Sequence, residues 1–504
     1  MSGNGSLQAL AESLGERIGN SGFEAGEATV EGLRQALESG RLTSAGLTRF
    51  YLDRIERLNP DLHAVITVSP DALDQAVASD TARADGGARG PLEGIPVLIK
   101  DNIAVAGLPA TAGSPALADA ESGDAFLVAR LRAAGAVIAG KANLSEWANI
   151  RSAGSSSGWS TLGGQTVNPS GSGRNPSGSS SGSGAAVAAG LAPIAVGTET
   201  NGSIVSPSSA CGVVGLKPTV GLVSRGGIVP ISAAQDTAGP MTRCVADTAA
   251  LLGVLAGHDP ADEVTAGAAN RPADYTRYLD AGALAGARLG IWRDGSKAAG
   301  PATAAVLDAA VERLRACGAE VIDPVSLLGA DQAGEPEIVA LLHEFKHDLN
   351  AYLVTLPGEH PLTLAELIDY NKANADRVLA VFGQDLFEQA EATSGDLADP
   401  VYLAARGEAR RLALGALDGA LTRHRLDAVV SLTGGPARLI DHLLGDVGEF
   451  STSGPAAVCG YPSITVPAGR VAGLPVGLLL SGPAWSEPRL IALGFAFEQA
   501  TGAV

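Results

Sequence analysis

The sequence predicts an α/β fold, a β-sheet covered by helices. Two observations carry this: helix and strand patterns alternate along the chain, and 46% of its 504 residues are hydrophobic against 18% charged, enough to bury a large core. Helical periodicity begins near Thr29, with Leu33, Ala36 and Leu37 on one face. Thr43 and Ser44 suit an N-cap for a second helix running through Leu58, which Asn59-Pro60 then stops. Pro96 to Ile99 is a short β-type run ending at Lys100, so the lysine stands at a strand end, where functional groups emerge in α/β folds. Phe126 to Ala134 reads as a helix and Ala136 to Ala139 as the strand after it. The alternation recurs with helix Pro301 to Cys317 before strand Glu320 to Ile322, and with strand Ala428 to Ser431 before a final helix from Pro488 to Ala500.

Residues 1 to 27 read as a loosely attached leader, open to disorder, with an acidic amphipathic stretch from Leu7 to Ile18. It has neither the basic start nor the apolar centre of a secretory signal, so a cytoplasmic location is expected as written, a secreted or periplasmic mature form staying compatible. The longest apolar run, Ala185 to Val196, is too short to span a bilayer and contains Gly and Pro. The net charge of −19 argues against nucleic-acid and anionic-membrane partners, which call for clustered Lys and Arg. Cys211, Cys244, Cys317 and Cys459 are widely spaced without a CxxC and read as buried free thiols. Monomer and homodimer both stay open.

Several local patterns suggest chemistry that their context does not support. Gly178-Ser-Ser-Ser-Gly182 satisfies GxSxG with Ser180 at its centre, but a nucleophile elbow needs a strand before it, and Ser170 to Pro176 is not one. Gly135 to Lys141 resembles a phosphate loop but has Ala142 where a magnesium-binding hydroxyl belongs. His343 and His347 have the i, i+4 spacing of two ligands on one helix face, yet no HExxH and no Cys cluster accompanies them. No metal and no cofactor is expected. The Gly/Ser-rich stretch from Ser152 to Gly184 has the composition of a linker between two domains. The abrupt return to the Ala185 to Val196 run, and a second Gly/Ser/Thr segment leading to Ser203, argue instead for a built site.

Three segments then stand out: Gly94-Ile-Pro-Val-Leu-Ile-Lys100-Asp-Asn102, Gly178-Ser179-Ser-Ser-Gly182 and Gly197-Thr-Glu-Thr-Asn-Gly-Ser203. A serine hydroxyl needs a base to become a nucleophile, and a desolvated, neutral lysine can be that base in place of histidine, with a second serine between them. These segments, with Gly212 to Thr219, Gly221 to Arg225, Asp236 to Met241, Ile464 to Pro467 and Gly473 to Gly477, resemble the amidase signature family from about residue 27 to the C-terminus.

The resemblance implies a large mixed central β-sheet covered on both sides by helices. It makes residues 28–504 one domain, with a signature core over about 90–250 and a helical insertion over about 259–395 whose Leu341 to Leu353 and Thr363 to Leu386 stretches read as a flap. It implies Ser203 as nucleophile, Ser179 as bridging serine after a cis peptide bond, and Lys100 as base. The backbone N–H groups of Thr200, Asn201, Gly202 and Ser203 would form the oxyanion hole, at a helix N-terminus and with Gly202 permitting close approach. Glu199 and Asn201 depart from the commoner Asp-x-Gly-Gly-Ser pattern in the direction of peptide amidases, and Val205 replaces a frequent arginine.

The substrate implied is a carboxylic amide. Asn143 to Asn149, Ser157 to Ser160, Gly163 to Thr166, Glu344 to Lys346, Phe382 to Gln384 and Ala484 to Pro488 resemble bacterial peptide amidases, which remove the C-terminal amide of peptides. Trp147, Trp159 and Trp485 would belong to that set, or else be ordinary packing residues. Aryl, fatty or carbamate substrates, one chain of a tRNA-dependent amidotransferase with its partner chains, and a non-catalytic scaffold stay open as alternatives.

Overall fold

The computed structural model describes residue 10, residues 12–446 and residues 450–502. Its centre is one eleven-stranded mixed sheet. In chain order the strands are β1 (Val65–Val68), β2 (Pro96–Lys100), β3 (Val137–Ala142), β4 (Ile194–Glu199), β5 (Val214–Lys217), β6 (Thr237–Thr242), β7 (Arg288–Ile291), β8 (Glu320–Ile322), β9 (Ala428–Leu432), β10 (Ser463–Val471) and β11 (Leu474–Ser481). Their spatial order is β1-β3-β2-β4-β6-β5-β10-β11-β9-β7-β8.

Strands β3, β2 and β4 run parallel at one end, as do β9, β7 and β8 at the other. Antiparallel pairs from β4 to β9 join the two ends. The inner strands β2, β3, β4, β6 and β11 are buried along their whole length. They therefore read as apolar runs without the alternation of a half-exposed strand.

The predicted elements are present, and their edges differ for physical reasons. Thr29 caps helix Val30–Glu38 by accepting from the Gly32 N–H. The helix from Ser44 does not stop at Asn59 but runs to Leu62 with Pro60 inside it. Proline costs most in a helix interior. Here it falls in the last turn, where the Asn59 side chain accepts from the Ala64 and Val65 N–H groups at 2.8 Å each and His63 closes the end at φ 50. The Ala185 to Val196 run splits between helix Ser181–Ala188 and the start of β4.

The segment expected to be loose packs onto the body over residues 12–27, while Leu7 to Ala9 lie outside the described residues. The reason is Arg54. Its guanidinium is buried and donates to the carbonyls of Ser13 at 2.6 Å, Ala189 at 2.9 Å and Gly190 at 2.8 Å, and to Glu16 at 3.0 Å. Ile18 and Ala25 are fully buried beside it.

The stretch expected as a helical insertion, about 259–395, instead gives β7, helix Pro301–Ala316 and β8 to the central body, and the insertion proper is the later run of helices Gly334–Leu353, Leu364–Ala373, Ala375–Val378 and Asp385–Ala392. Arg151 pins it to the core. This buried guanidinium pairs with the buried Glu146, donates to the Val378 and Phe382 carbonyls at 2.9 and 3.2 Å, and lies 4.1 Å over the Phe382 ring.

Candidate active site

Lys100 ends β2 with its amine fully buried. Its Nζ lies 2.8 Å from Ser179 Oγ, 2.8 Å from Thr198 Oγ1 and 3.3 Å from the Thr198 carbonyl oxygen. Burial pushes its pKa down from 10.5 to about 7, against the weaker pull of Asp236 and Glu199. A neutral amine has two N–H donors and one lone pair. Thr198 offers two acceptors, so the lone pair is left for the Ser179 hydroxyl. Asn102 Nδ2 donates to Thr198 Oγ1 at 3.0 Å and holds that hydroxyl in place.

Ser179 follows a cis Gly178–Ser179 peptide bond. The neighbouring Ser180, the serine of the GxSxG match, is turned inward. Its Oγ donates to the Thr198 carbonyl at 3.0 Å and lies 3.2 Å from the Thr198 N–H, which fastens the serine loop to β4. The Ser180 N–H in turn donates to the Ser203 carbonyl at 3.1 Å, so the loops of Ser179 and Ser203 are tied by their backbones.

The turn after β4 carries Thr200 to Ser203, and helix Val205–Cys211 follows. Glu199 Oε2 accepts the N–H groups of Ile204 at 2.8 Å and Val205 at 3.1 Å. Among the described residues, the N–H groups of Thr200, Asn201, Gly202 and Ser203 find no acceptor. Gly202 has φ +82, and a Cβ there would stand 2.9 Å from Ser453 Oγ. Ser203 is half-buried, and its hydroxyl takes no hydrogen-bond partner among the described residues.

Asn102, Ala148, Ser179, Thr198, Ile231 and Asp236 belong to the wall of a small cavity of about 10 Å³. Asp236 opens one of the segments that carry the resemblance, but the sequence assigns it no role in the site. Its carboxylate accepts from Thr200 Oγ1 at 2.5 Å and from the Ile231 and Ser232 N–H groups at 2.8 and 2.9 Å, and burial pushes its pKa up to about 6. Ala148 sits in the middle of three consecutive left-handed residues, Trp147, Ala148 and Asn149, at φ 52, 53 and 74. Each costs about 1–2 kcal/mol. Tertiary bonds hold the turn: Trp147 N–H to the Ala112 carbonyl at 2.9 Å, and Trp147 against Phe387 at 5.8 Å.

A much larger cavity, about 860 Å³, lies elsewhere, with Arg34, Ala133, Ala250 and Leu279 in its wall. It contains none of Lys100, Ser179 or Ser203, so donor and acceptor chemistry, not volume, locates the site.

The other singled-out residues are structural in their contacts. Lys141 is buried and paired with Asp101 at 3.1 Å. His343 Nδ1 lies 2.9 Å from the Val339 carbonyl, and His347 Nδ1 2.8 Å from Asp348. Trp147 and Trp159 are packed against Phe387 and Phe382 where the insertion meets the core, and Trp485 lies under Arg271 at 4.1 Å. None of the three tryptophans lines the Ser179 cavity. The four cysteines are free thiols, of which Cys211, Cys244 and Cys459 are buried and Cys317 is intermediate.

Known proteins resemble this chain in sequence and in fold. The Amidase family model matches residues 46–491. A probable amidase of Arabidopsis thaliana is 42% identical over 98% of this chain and 94% of its own length. One chain of the glutamyl-tRNA(Gln) amidotransferase of Salinispora arenicola is 35% identical over 92% and 95%. The crystal structure of the peptide amidase of Stenotrophomonas maltophilia superposes with a TM-score of 0.90 at 50% identity, covering 94% of this chain and 97% of that one. A related structure holds a peptide amidase with the competitive inhibitor chymostatin, with the same identity and TM-score. By the extent of the family match and the shared fold, this chain belongs to the amidase signature family of hydrolases.

Proposed function

We propose that this chain hydrolyses the C-terminal amide of peptides through an acyl-enzyme on Ser203, with Ser179 as proton bridge and Lys100 as base. The observation that carries the reading is the Lys100 amine, buried, near neutral and aimed at Ser179 Oγ. Ser203 Oγ attacks the amide carbon. Its proton passes to Ser179, whose own proton moves to Lys100. The carbonyl oxygen becomes an oxyanion facing the unpaired N–H groups of the Thr200 to Ser203 turn, which stabilise the charge where it develops. The C–N bond then breaks, Ser179 gives its proton to the nitrogen and is reprotonated by Lys100, which becomes neutral again, and ammonia leaves. Water cleaves the ester by the same relay and regenerates Ser203.

The cavity beside Ser179, about 10 Å³, favours a primary amide. That is the room one water-sized molecule needs, and ammonia is of that size. A longer leaving group would meet Ile228, Val229 and Ile231. The 50% identity to a peptide amidase points to a peptide on the acyl side.

An amidated tetrapeptide incubated with the purified chain is expected to release ammonia and gain about one mass unit, the NH₂ to OH exchange of acyl-enzyme hydrolysis, with internal bonds intact. Internal fragments, or inertness beside fast cleavage of anilides or carbamates, would refute the substrate. Turnover only with glutamine and partner chains would favour the amidotransferase reading that the Salinispora relative suggests.

A further inference from the structure

The turn that carries Ser203 is held by the insertion. Asn201 Nδ2 donates to both carboxylate oxygens of Glu337, at 2.9 and 3.1 Å, across 136 residues of sequence. Ser453 Oγ donates to Asn201 Oδ1 at 2.7 Å, so the side chain is gripped at both ends. Gln235 Nε2 reaches Glu337 Oε1 at 2.9 Å and the Thr200 carbonyl at 3.2 Å. Asn201 is also the position where a side chain stands in place of the commoner glycine, and that side chain is the one held.

We propose that Glu337 is a positioning residue for acyl transfer: from the insertion helix it holds Asn201 and, through Gln235, the Thr200 carbonyl, which keeps the unpaired N–H groups of the turn converging on one oxygen. This rests on the reading of Ser203 as nucleophile. Glu337 is buried, and among the described residues it makes no ion pair. The nearby Arg406 pairs with Glu344 and donates to Gln235 Oε1, which leaves the Gln235 amide nitrogen facing Glu337. A buried carboxylate held only by two carboxamides accepts three N–H···O bonds on its two oxygens, one more than the single acceptor oxygen of a glutamine takes. The packing of the insertion against the core thereby sets the geometry of a turn to which it contributes no backbone.

The test exchanges donor for acceptor. E337Q faces two amide NH₂ groups toward each other, and N201D faces two carboxylates. The double variant N201D/E337Q restores one of the two 201–337 bonds with the roles reversed, because the new glutamine NH₂ donates to the new aspartate while its oxygen still accepts from Gln235. Each single variant is expected to lose about 10- to 100-fold in kcat on the amidated tetrapeptide, the effect of a small misplacement at the reacting centre. KM should stay within about threefold, and affinity for a peptide aldehyde, which forms a tetrahedral adduct, should fall in parallel with kcat. The double variant should recover part of the loss and exceed both single variants.

Single variants at wild-type kcat, or a double variant no better than the worse single, would overturn the proposal. S453A removes only the outer grip and serves should a buried single variant fail to fold: it should lower kcat with an unchanged melting temperature, and a wild-type kcat there would count against the proposal. Labelling of Ser203 by a fluorophosphonate, measured across the same variants, reads the turn whatever the natural amide. An active Ser203→Ala enzyme would sink the function itself. An inactive one beside unaffected Glu337 variants would sink only this inference.

Discussion

Two lysines stand on adjacent parallel strands, both fully buried, and they do different things. Lys100, at the end of β2, touches only neutral groups, the hydroxyls of Ser179 and Thr198 and a carbonyl. Lys141, on β3, sits 3.1 Å from the buried carboxylate of Asp101 and donates to the Pro109 carbonyl at 2.9 Å. Burial disfavours the charged form of both. Only Lys141 has a carboxylate at contact distance to hold its proton. Burial alone therefore does not make a base: a buried lysine becomes one when its neighbours are neutral and one of them has a proton to give.

The sharpest break of this comparison is chemical. Ser203→Ala and Lys100→Met should each lower amide turnover by about 10⁴-fold or more, as loss of a nucleophile or its base does, with the fold intact. Lys100→Met should change unfolding free energy by no more than about 2 kcal/mol, because only neutral groups lose a partner. Lys141→Met should do the opposite. It leaves the Asp101 carboxylate buried and unpaired, a loss of about 3–5 kcal/mol read by denaturant unfolding, which the double variant D101L/K141M should largely restore. A Lys141→Met chain as stable as wild type would remove the contrast. Gly202→Ala should cost about 1–2 kcal/mol and lower kcat, since a side chain at φ +82 is strained and its Cβ would press on Ser453 Oγ at 2.9 Å. Metal chelators should leave turnover unchanged, and chelator inhibition reversed by zinc would point back to His343 and His347.

The residues legible in the sequence were those whose signal is local. Lys100, Ser179 and Ser203 each end or interrupt a short motif, and the αβ alternation marked four of the eleven strands, β2, β3, β8 and β9. Thr198 lay inside a noted motif, but its use as a double acceptor for Lys100 depends on β2 and β4 pairing in register. Glu337 and Arg151 were illegible for a plainer reason. Their partners lie 136 and 231 residues away, where no spacing rule reaches. The packed residues 12–27 were missed likewise, since the Ser13, Ala189 and Gly190 carbonyls meet around Arg54 only in the fold. Pro60 shows the limit of a strong local rule, as the helix passes it within the last turn, where few residues follow and only one ladder bond is lost.

The most direct test of the account is the pH dependence of Ser203 acylation, followed with a peptide amide or a fluorophosphonate from about pH 5 to about pH 9. The amine of Lys100 is protonated below its pKa and free to accept a proton above it. With that pKa lowered from 10.5 to about 7, the rate should rise with pH through about 7 and then level off. Lys100→Met should lack that limb, and Lys100→Arg should stay inactive throughout because guanidinium does not release its proton. A wild-type rate that is flat across this range, or a limb near 7 that survives in Lys100→Met, would contradict the assignment of Lys100 as the base.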